Sequence, residues 1–318
     1  MDQTTAKNPA AGSVETVLRE ELAHGDALIA TIAPILRHLL ANDEHSVFSD
    51  EIIARVRGML SDIARQLLIE YETAAESPDP RDIAPDRITA MVEGLIGHAG
   101  FLAHIHALAL EWQLTERMQA RLAVDPVLSP LLQALVSSSE PQVSSSAMAL
   151  LAAQARFATS QRRMQLPCAE LPGDLLHAAL LVLRGVSPDQ EVASRVEQAV
   201  RGRFDESRSR LGLISRLVIG MGGGATAALS VTHAGVGIFL SALALASGQD
   251  RDMAVLATNE GQLARLAVAL RASGLKTQTI EEQFESLHPE VALPAGFENL
   301  GSDSAAALLA RAASFPGG

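Results

Sequence analysis

The feature that most constrains this chain is a repeat of apolar residues at helical spacing, clearest in the segment that follows Ser49. Apolar side chains recur there every three or four residues: Ile52, Val56, Met59, Leu60, Ile63 and Leu67. This spacing places them on one face of an α-helix, and a serine just before it is a favourable N-cap. No segment shows the alternation that is typical of a β-strand. The pattern therefore predicts an all-α fold.

The composition agrees with this class. The chain contains only eight phenylalanines, one tryptophan and one tyrosine, and alanine and leucine supply most of its apolar content. β-Sheets draw more on aromatic and β-branched residues, whereas alanine and leucine favour helices. A chain of 318 residues is long enough for a large core, and we expect two lobes.

Proline-rich and polar segments divide the sequence. We predict a disordered leader over residues 1–12, an N-terminal helical lobe over 13–124, a C-terminal helical lobe over 125–295, and a tail over 296–318 that carries a short helix. Within the first lobe, one long helix is predicted over 86–121.

Two predicted helix ends have a similar sequence, which suggests an internal repeat. "ALASG" ends at Gly248 and "LRASG" ends at Gly274, and glycine readily adopts the positive φ of a helix C-terminus. Their separation is about the length of a short helical hairpin. We therefore predict packed hairpins in a repeat-like, solenoid-like array.

The stretch "RLVIGMGGGATAALS" contains a glycine run inside a segment, 217–249, that carries no formal charge. Gly220, Gly222 and Ala225 match a dinucleotide fingerprint, but no strand is predicted before them and no acid follows at the required distance. A membrane span would need more large apolar residues than this segment offers. We predict buried helices that pack closely at small residues, and a break in the glycine run is equally compatible.

The sequence offers no recognisable catalytic or metal-binding set. His98, His104 and His106 lack the spacing of metal ligands on one helix, and Cys168 is the only cysteine. We therefore predict no metal and no cofactor. One alternative stays open, a helical enzyme or small-molecule-binding protein with a site built from distant residues, for which His98, His104 and Glu111 are candidates.

Arginines concentrate between residues 162 and 216, and "RGRFDESRSR" is the densest part of that stretch. Such a run is often a helix face laced with ion pairs, but arginine also binds carboxylates through two parallel hydrogen bonds. The partner-binding candidates are Arg201, Arg203, Arg208 and Arg210.

The overall charge and the number of cysteines limit the classes of partner and the compartment that we expect for this protein. A net charge of −12 repels a nucleic-acid backbone, so we expect no nucleic-acid partner. A single cysteine and the absence of a secretory signal suggest a cytoplasmic protein. A membrane partner is not expected, and homo-oligomers remain possible.

The segments "AQARFATSQRRMQLPCAELP" (153–172) and "ALALASGQDRDMAVLATNEGQLARLAVALRASGL" (242–275) resemble a bacterial domain-of-unknown-function family. The resemblance covers roughly the C-terminal half. It implies an all-helical, repeat-like protein without an assigned activity, and it carries over no catalytic residue.

These observations favour a non-enzymatic protein-interaction module, a regulatory or signalling adaptor that binds a protein with an acidic surface. The alternatives are the helical ligand-binding protein or enzyme described above, and a membrane-associated protein that uses residues 217–249.

Overall fold

The computed structural model describes residues 9–41 and 50–313. Within these ranges the chain is α-helical, with short 3₁₀ turns and no β-strand, so the all-α prediction is confirmed. The α-helices are α1 Pro9–Ala41, α2 Asp50–Ala74, α3 Pro85–Ile96, α4 Ala99–Leu122, α5 Pro130–Val136, α6 Pro141–Arg162, α7 Gly173–Val186, α8 Gln190–Arg203, α9 Arg210–Gly220, α10 Val231–Ala234, α11 Val236–Ser247, α12 Arg251–Leu256, α13 Leu263–Ala272, α14 Thr277–Leu287 and α15 Ser302–Ala313.

The chain divides into two compact units, and each unit combines separate stretches of sequence. Unit 1 contains residues 1–32, 113–135 and 218–318, and unit 2 contains residues 33–112 and 136–217. These units differ from the predicted lobes, which follow chain order with a boundary at 124, because contacts form between residues far apart in the sequence. The repeat-like array remains a prediction.

The two ends of the chain can be compared with their predictions only in part. Residues 1–8 of the predicted leader lie outside the described residues, and α1 already begins at Pro9, so the helix includes the end of that leader. In the tail, α15 forms at the place of the predicted short helix and packs against α13.

Unit 2 is built around α2, which contacts α3, α7 and α8. The apolar residues that predicted this helix are all buried: Ile52, Val56, Met59, Leu60, Ile63 and Leu67. Burial of such a stripe stabilises the helix far more than intrinsic propensity does. After α6 the chain continues along α2, where Asp62 accepts the Leu166 N–H (3.0 Å).

The long helix predicted over 86–121 is wrong, because the structure contains two helices, α3 and α4, at 95° to each other. Gly97 and His98 form the break. The His98 side chain stabilises it, since its Nδ1 accepts the Phe101 N–H (3.3 Å) at the start of α4. No single helix of the described chain is long and apolar enough to cross a membrane, and only the bent pair α3–α4 meets that criterion jointly.

The glycine run lies in unit 1 and is not the close helix contact that we predicted. The helix α9 ends at Gly220, and residues 222–229 form a 3₁₀ segment that begins with a positive φ at Gly222 and is buried only at its end, Ala228 and Leu229. A Cβ atom added at Gly223 or Gly224 would meet no other atom within 4 Å. The compatible alternative, a break in the helix at the glycine run, is what the structure contains.

The uncharged segment continues as α10 and α11, and α11 forms the centre of unit 1. The run Val236–Ala244 is buried throughout, and α11 contacts α10, α12 and α13. Both predicted glycine ends are confirmed, with φ of 71° at Gly248 and 85° at Gly274.

Candidate functional site

The four arginines singled out in the sequence occupy three different environments, all in unit 2. Arg201 and Arg203 lie at the exposed end of α8. Arg201 forms a salt bridge with Glu197 (2.9 Å), and Arg203 forms one with Glu70 on α2 (2.5 Å). Arg208 is exposed in the turn that precedes α9, whereas Arg210 is buried.

Arg203 and Arg208 contribute to a pocket of about 300 Å³, which we call the arginine pocket. The end of α6, the connection to α7, and the turn between α8 and α9 form its walls. Its lining includes three arginines, two carboxylates, two aromatic rings and two hydroxyls: Arg156, Arg203, Arg208, Glu170, Asp205, Phe157, Phe204, Ser160 and Ser209. Cationic and aromatic groups therefore face the same space.

Two arginines of the pocket make no direct polar side-chain contact within the described part of the chain. Neither Arg156 nor Arg208 forms a side-chain hydrogen bond or a salt bridge there. Both side chains are exposed, so their charge is hydrated rather than buried. A guanidinium without an internal partner can form its charge-assisted hydrogen bonds with a bound anion.

Arg210 does not belong to a docking surface, which corrects that part of the prediction. Its guanidinium donates to both carboxylate oxygens of Glu111 (2.8 and 2.9 Å) and to Oε1 of Gln154 (3.1 Å). The side chains of Arg210 and Glu111 are only 2% and 1% exposed. The guanidinium carbon also lies 3.6 Å from the ring centroid of Phe157, so the ion pair supports one wall of the pocket.

The two carboxylates of the pocket are engaged by backbone N–H groups. Glu170 accepts the N–H of Arg210 (2.7 Å), the first residue of α9. A negative charge at a helix N-terminus interacts favourably with the positive end of the helix dipole. Asp205 accepts both the N–H (3.0 Å) and the hydroxyl (2.6 Å) of Ser207. The hydrogen bond from the Ser207 hydroxyl lowers the pKa of Asp205, and the nearby charge of Arg208 adds to this effect. Asp205 is therefore ionised at neutral pH.

The three residues proposed for an alternative catalytic site are not brought together. His98 is exposed just before α4, His104 on α4 is buried in the protein interior, and Glu111 binds Arg210. His98 and Glu111 are about 20 Å apart along one helix at 1.5 Å per residue. Neither described pocket is lined by any of the three.

Cysteine and metal chemistry receive no support from the described residues. Burial raises the pKa of the Cys168 thiol to about 12, and the negative charges of Asp62 and Glu70 act in the same direction. The thiol is therefore protonated at neutral pH and is a poor nucleophile. The described chain contains no group of three histidine, cysteine or acidic side chains that could hold a metal ion.

Unit 1 has a pocket of its own, of about 330 Å³, next to the glycine run. Its lining carries no formal charge and includes Ile219, Ala225, Leu229, Ala242 and Leu245. It contrasts with the arginine pocket, because it offers apolar surface without a charged group that would orient a ligand.

Three residues that line the arginine pocket were not predicted from the sequence: Arg156, Phe157 and Phe204. Arg156 lies outside the arginine-rich stretch, and only the fold of unit 2 brings it near Arg208.

No protein-family model, no curated protein and no solved structure matches this chain. The resemblance to a bacterial domain-of-unknown-function family thus remains a prediction, and function is argued from the site alone.

Proposed function

We propose that this chain is a non-enzymatic α-helical interaction module, a regulator or adaptor that binds an acidic segment of a partner protein in the arginine pocket. The observation that carries the proposal is the pair of unpartnered arginines, Arg156 and Arg208, at a pocket with phenylalanine walls. We also propose that the protein is located in the cytoplasm, because its single cysteine is typical of a reducing compartment.

Charge and shape both support an acidic partner. An incoming carboxylate can accept two parallel hydrogen bonds from a guanidinium, which gives direction as well as attraction. Phe157 and Phe204 offer apolar surface to a neighbouring side chain of the same partner. Phe157 is buried against the Arg210 guanidinium, so its ring need not be ordered on binding.

The rest of the protein surface adds specificity. The chain carries a net charge of −12, so an acidic partner is repelled over most of the surface and attracted where arginines concentrate. Arginines in a negatively charged surface thus select both a partner and a docking position.

A small organic anion is a second candidate ligand, and the pocket volume favours it. About 300 Å³ is at the lower end of the range for small-molecule sites. The same two arginines would hold its anionic group, so the two candidates differ in the partner and not in the chemistry of the site.

Affinity purification of the tagged full-length chain from its native cells tests the proposal. Three forms are compared: the wild type, the double variant Arg156→Glu with Arg208→Glu, and the control Arg162→Glu with Arg163→Glu. The control replaces two exposed arginines near the end of α6 that do not line the pocket. Because both double variants exchange two arginines for two glutamates, they change the net charge equally.

We expect a protein partner in stoichiometric amount with the wild type and the control, and its loss with the pocket variant. A partner that all three forms retain equally would contradict the proposal. If no form retains a protein, but the wild type shows a thermal shift with an anionic metabolite, the small-molecule candidate replaces the adaptor.

A further inference from the structure

We infer that the arginine pocket selects a singly charged carboxylate next to an apolar group, and that it discriminates against a doubly charged phosphate. This inference rests on the proposed function and names the anion that the pocket takes. It concerns the side chain of an aspartate or glutamate in the partner, as opposed to a phosphorylated residue.

The charge of the pocket lining favours a ligand with one negative charge. Of its three arginines, Arg203 is already paired with Glu70, so Arg156 and Arg208 remain to compensate a ligand. Two carboxylates, Glu170 and Asp205, line the same space. Counted over the lining alone, three arginines against two carboxylates leave one excess positive charge, and the pairing of Arg203 with Glu70 reduces it further, so the pocket matches one negative charge better than two.

Both carboxylates are held in position by hydrogen bonds, and Asp205 also keeps its charge. Asp205 is ionised at neutral pH, because it accepts two hydrogen bonds from Ser207. Glu170 is held by the N–H of Arg210 at the start of α9. A phosphate monoester carries a charge of about −1.5 to −2 at pH 7. Its additional charge is repelled by the two fixed carboxylates, whereas a carboxylate ligand brings only one charge.

The aromatic rings of the pocket favour a ligand with an apolar group next to its carboxylate. Phe157 and Phe204 both line the pocket, and the Phe157 ring also lies against the Arg210 guanidinium. A carboxylate bound by Arg156 and Arg208 can therefore place an adjacent apolar group against an aromatic ring. Such a contact adds affinity that does not depend on charge.

Three small probes that share a phenyl group and differ in charge test the inference with the full-length chain. They are 3-phenylpropanoate, 2-phenylethyl phosphate and the neutral 3-phenylpropanamide. Binding is followed through the fluorescence of Trp112, the only tryptophan of the sequence, and is checked by ligand-observed NMR. The Trp112 and Phe157 rings are edge-to-face with their centroids 6.3 Å apart, so the fluorescence reports on the pocket.

At pH 7.5 we expect the carboxylate to bind about fivefold to tenfold more tightly than the phosphate, and the amide to bind most weakly. Near pH 5.5 most of the phosphate is singly charged, because its second pKa is about 6. Its affinity should then approach that of the carboxylate, while the affinity of the carboxylate stays nearly constant.

The variants separate a failure of this inference from a failure of the proposed function. Arg156→Glu with Arg208→Glu should abolish carboxylate binding, and Arg162→Glu with Arg163→Glu should preserve it. All four arginines are exposed, so the variants should fold, which circular dichroism verifies. A phosphate that binds more tightly at pH 7.5, and still depends on Arg156 and Arg208, overturns the preference but leaves the docking site intact. Carboxylate binding that is insensitive to both arginines, or absent up to about 10 mM, contradicts the site as well.

Discussion

At the scale of the residue, the most informative feature is the buried ion pair of Arg210 and Glu111. The sequence gives a clue to it, because Glu111 is an acid within a mostly apolar helix, and buried carboxylates need a partner. Identifying that partner was beyond the sequence, since Arg210 lies in a dense arginine run that resembles a surface face. Only the packing of α9 against α4 and α6 separates Arg210 from its exposed neighbours.

Replacing one member of this pair should strongly destabilise unit 2. Arg210→Met leaves a buried carboxylate uncompensated, and we expect a loss of about 3–5 kcal/mol in the free energy of unfolding, measured by urea denaturation. The double variant Arg210→Met with Glu111→Leu should recover most of this loss, because it removes both charges. Arg201→Met, which breaks the salt bridge between the exposed Arg201 and the half-buried Glu197, should cost at most about 1 kcal/mol. Equal losses for the two single variants would contradict the account.

His288 in unit 1 should make the protein sensitive to mild acid. Burial lowers the pKa of His288, the charge of Arg117 adds to this, and the imidazole donates from Nε2 to the Thr258 carbonyl (2.9 Å). Below about pH 6.5 the unfolded chain binds a proton that the folded chain does not, so stability falls as the pH falls further. His288→Gln should reduce the difference in Tm between pH 7.5 and pH 5.5, whereas the exposed His233→Gln should not. The same pH dependence in all three proteins would exclude this role.

At the scale of the element, helices could be predicted better than their breaks. The apolar stripe of α2 and the glycines at 248 and 274 were sufficient, because both signals depend on local sequence. The break between α3 and α4 has a weaker local signal, a glycine followed by a histidine that caps the next helix. At the glycine run, glycine permits both close packing and a break, so the sequence could not decide between them.

The start of α9 illustrates where a glycine is truly required. A Cβ atom at Gly212 would lie well under 3.0 Å from the backbone oxygen of Glu206, beside the arginine pocket. Gly212→Ala should therefore lower the free energy of unfolding by about 1–3 kcal/mol and weaken binding at the pocket. Gly220→Ala, at the open end of the same helix, should leave stability unchanged or slightly raised. Thermal unfolding of both variants decides the point, and a loss at Gly220 as large as that at Gly212 would refute it.

At the scale of the whole molecule, the two units differ in the chemistry of their pockets. Unit 2 presents arginines and aromatic rings, and unit 1 presents uncharged, mostly apolar residues. Chain order did not predict the units, because each is assembled from stretches of sequence that only tertiary contacts bring together. For the same reason, the candidate site was predicted in part: Arg203 and Arg208 were found from local composition, and Arg156 was not.

The claim on which this account depends is that exposed, unpartnered arginines bind an acidic partner. The most direct test is the Kd of the purified partner for the wild type, for Arg156→Glu with Arg208→Glu, and for Arg162→Glu with Arg163→Glu, each at low and high salt. We predict at least about a hundredfold weaker binding for the pocket variant, little change for the charge-matched control, and weaker wild-type binding at high salt. Equal losses in the two variants would show that binding follows net charge, and an unchanged Kd in the pocket variant would contradict the arginine pocket as the docking site.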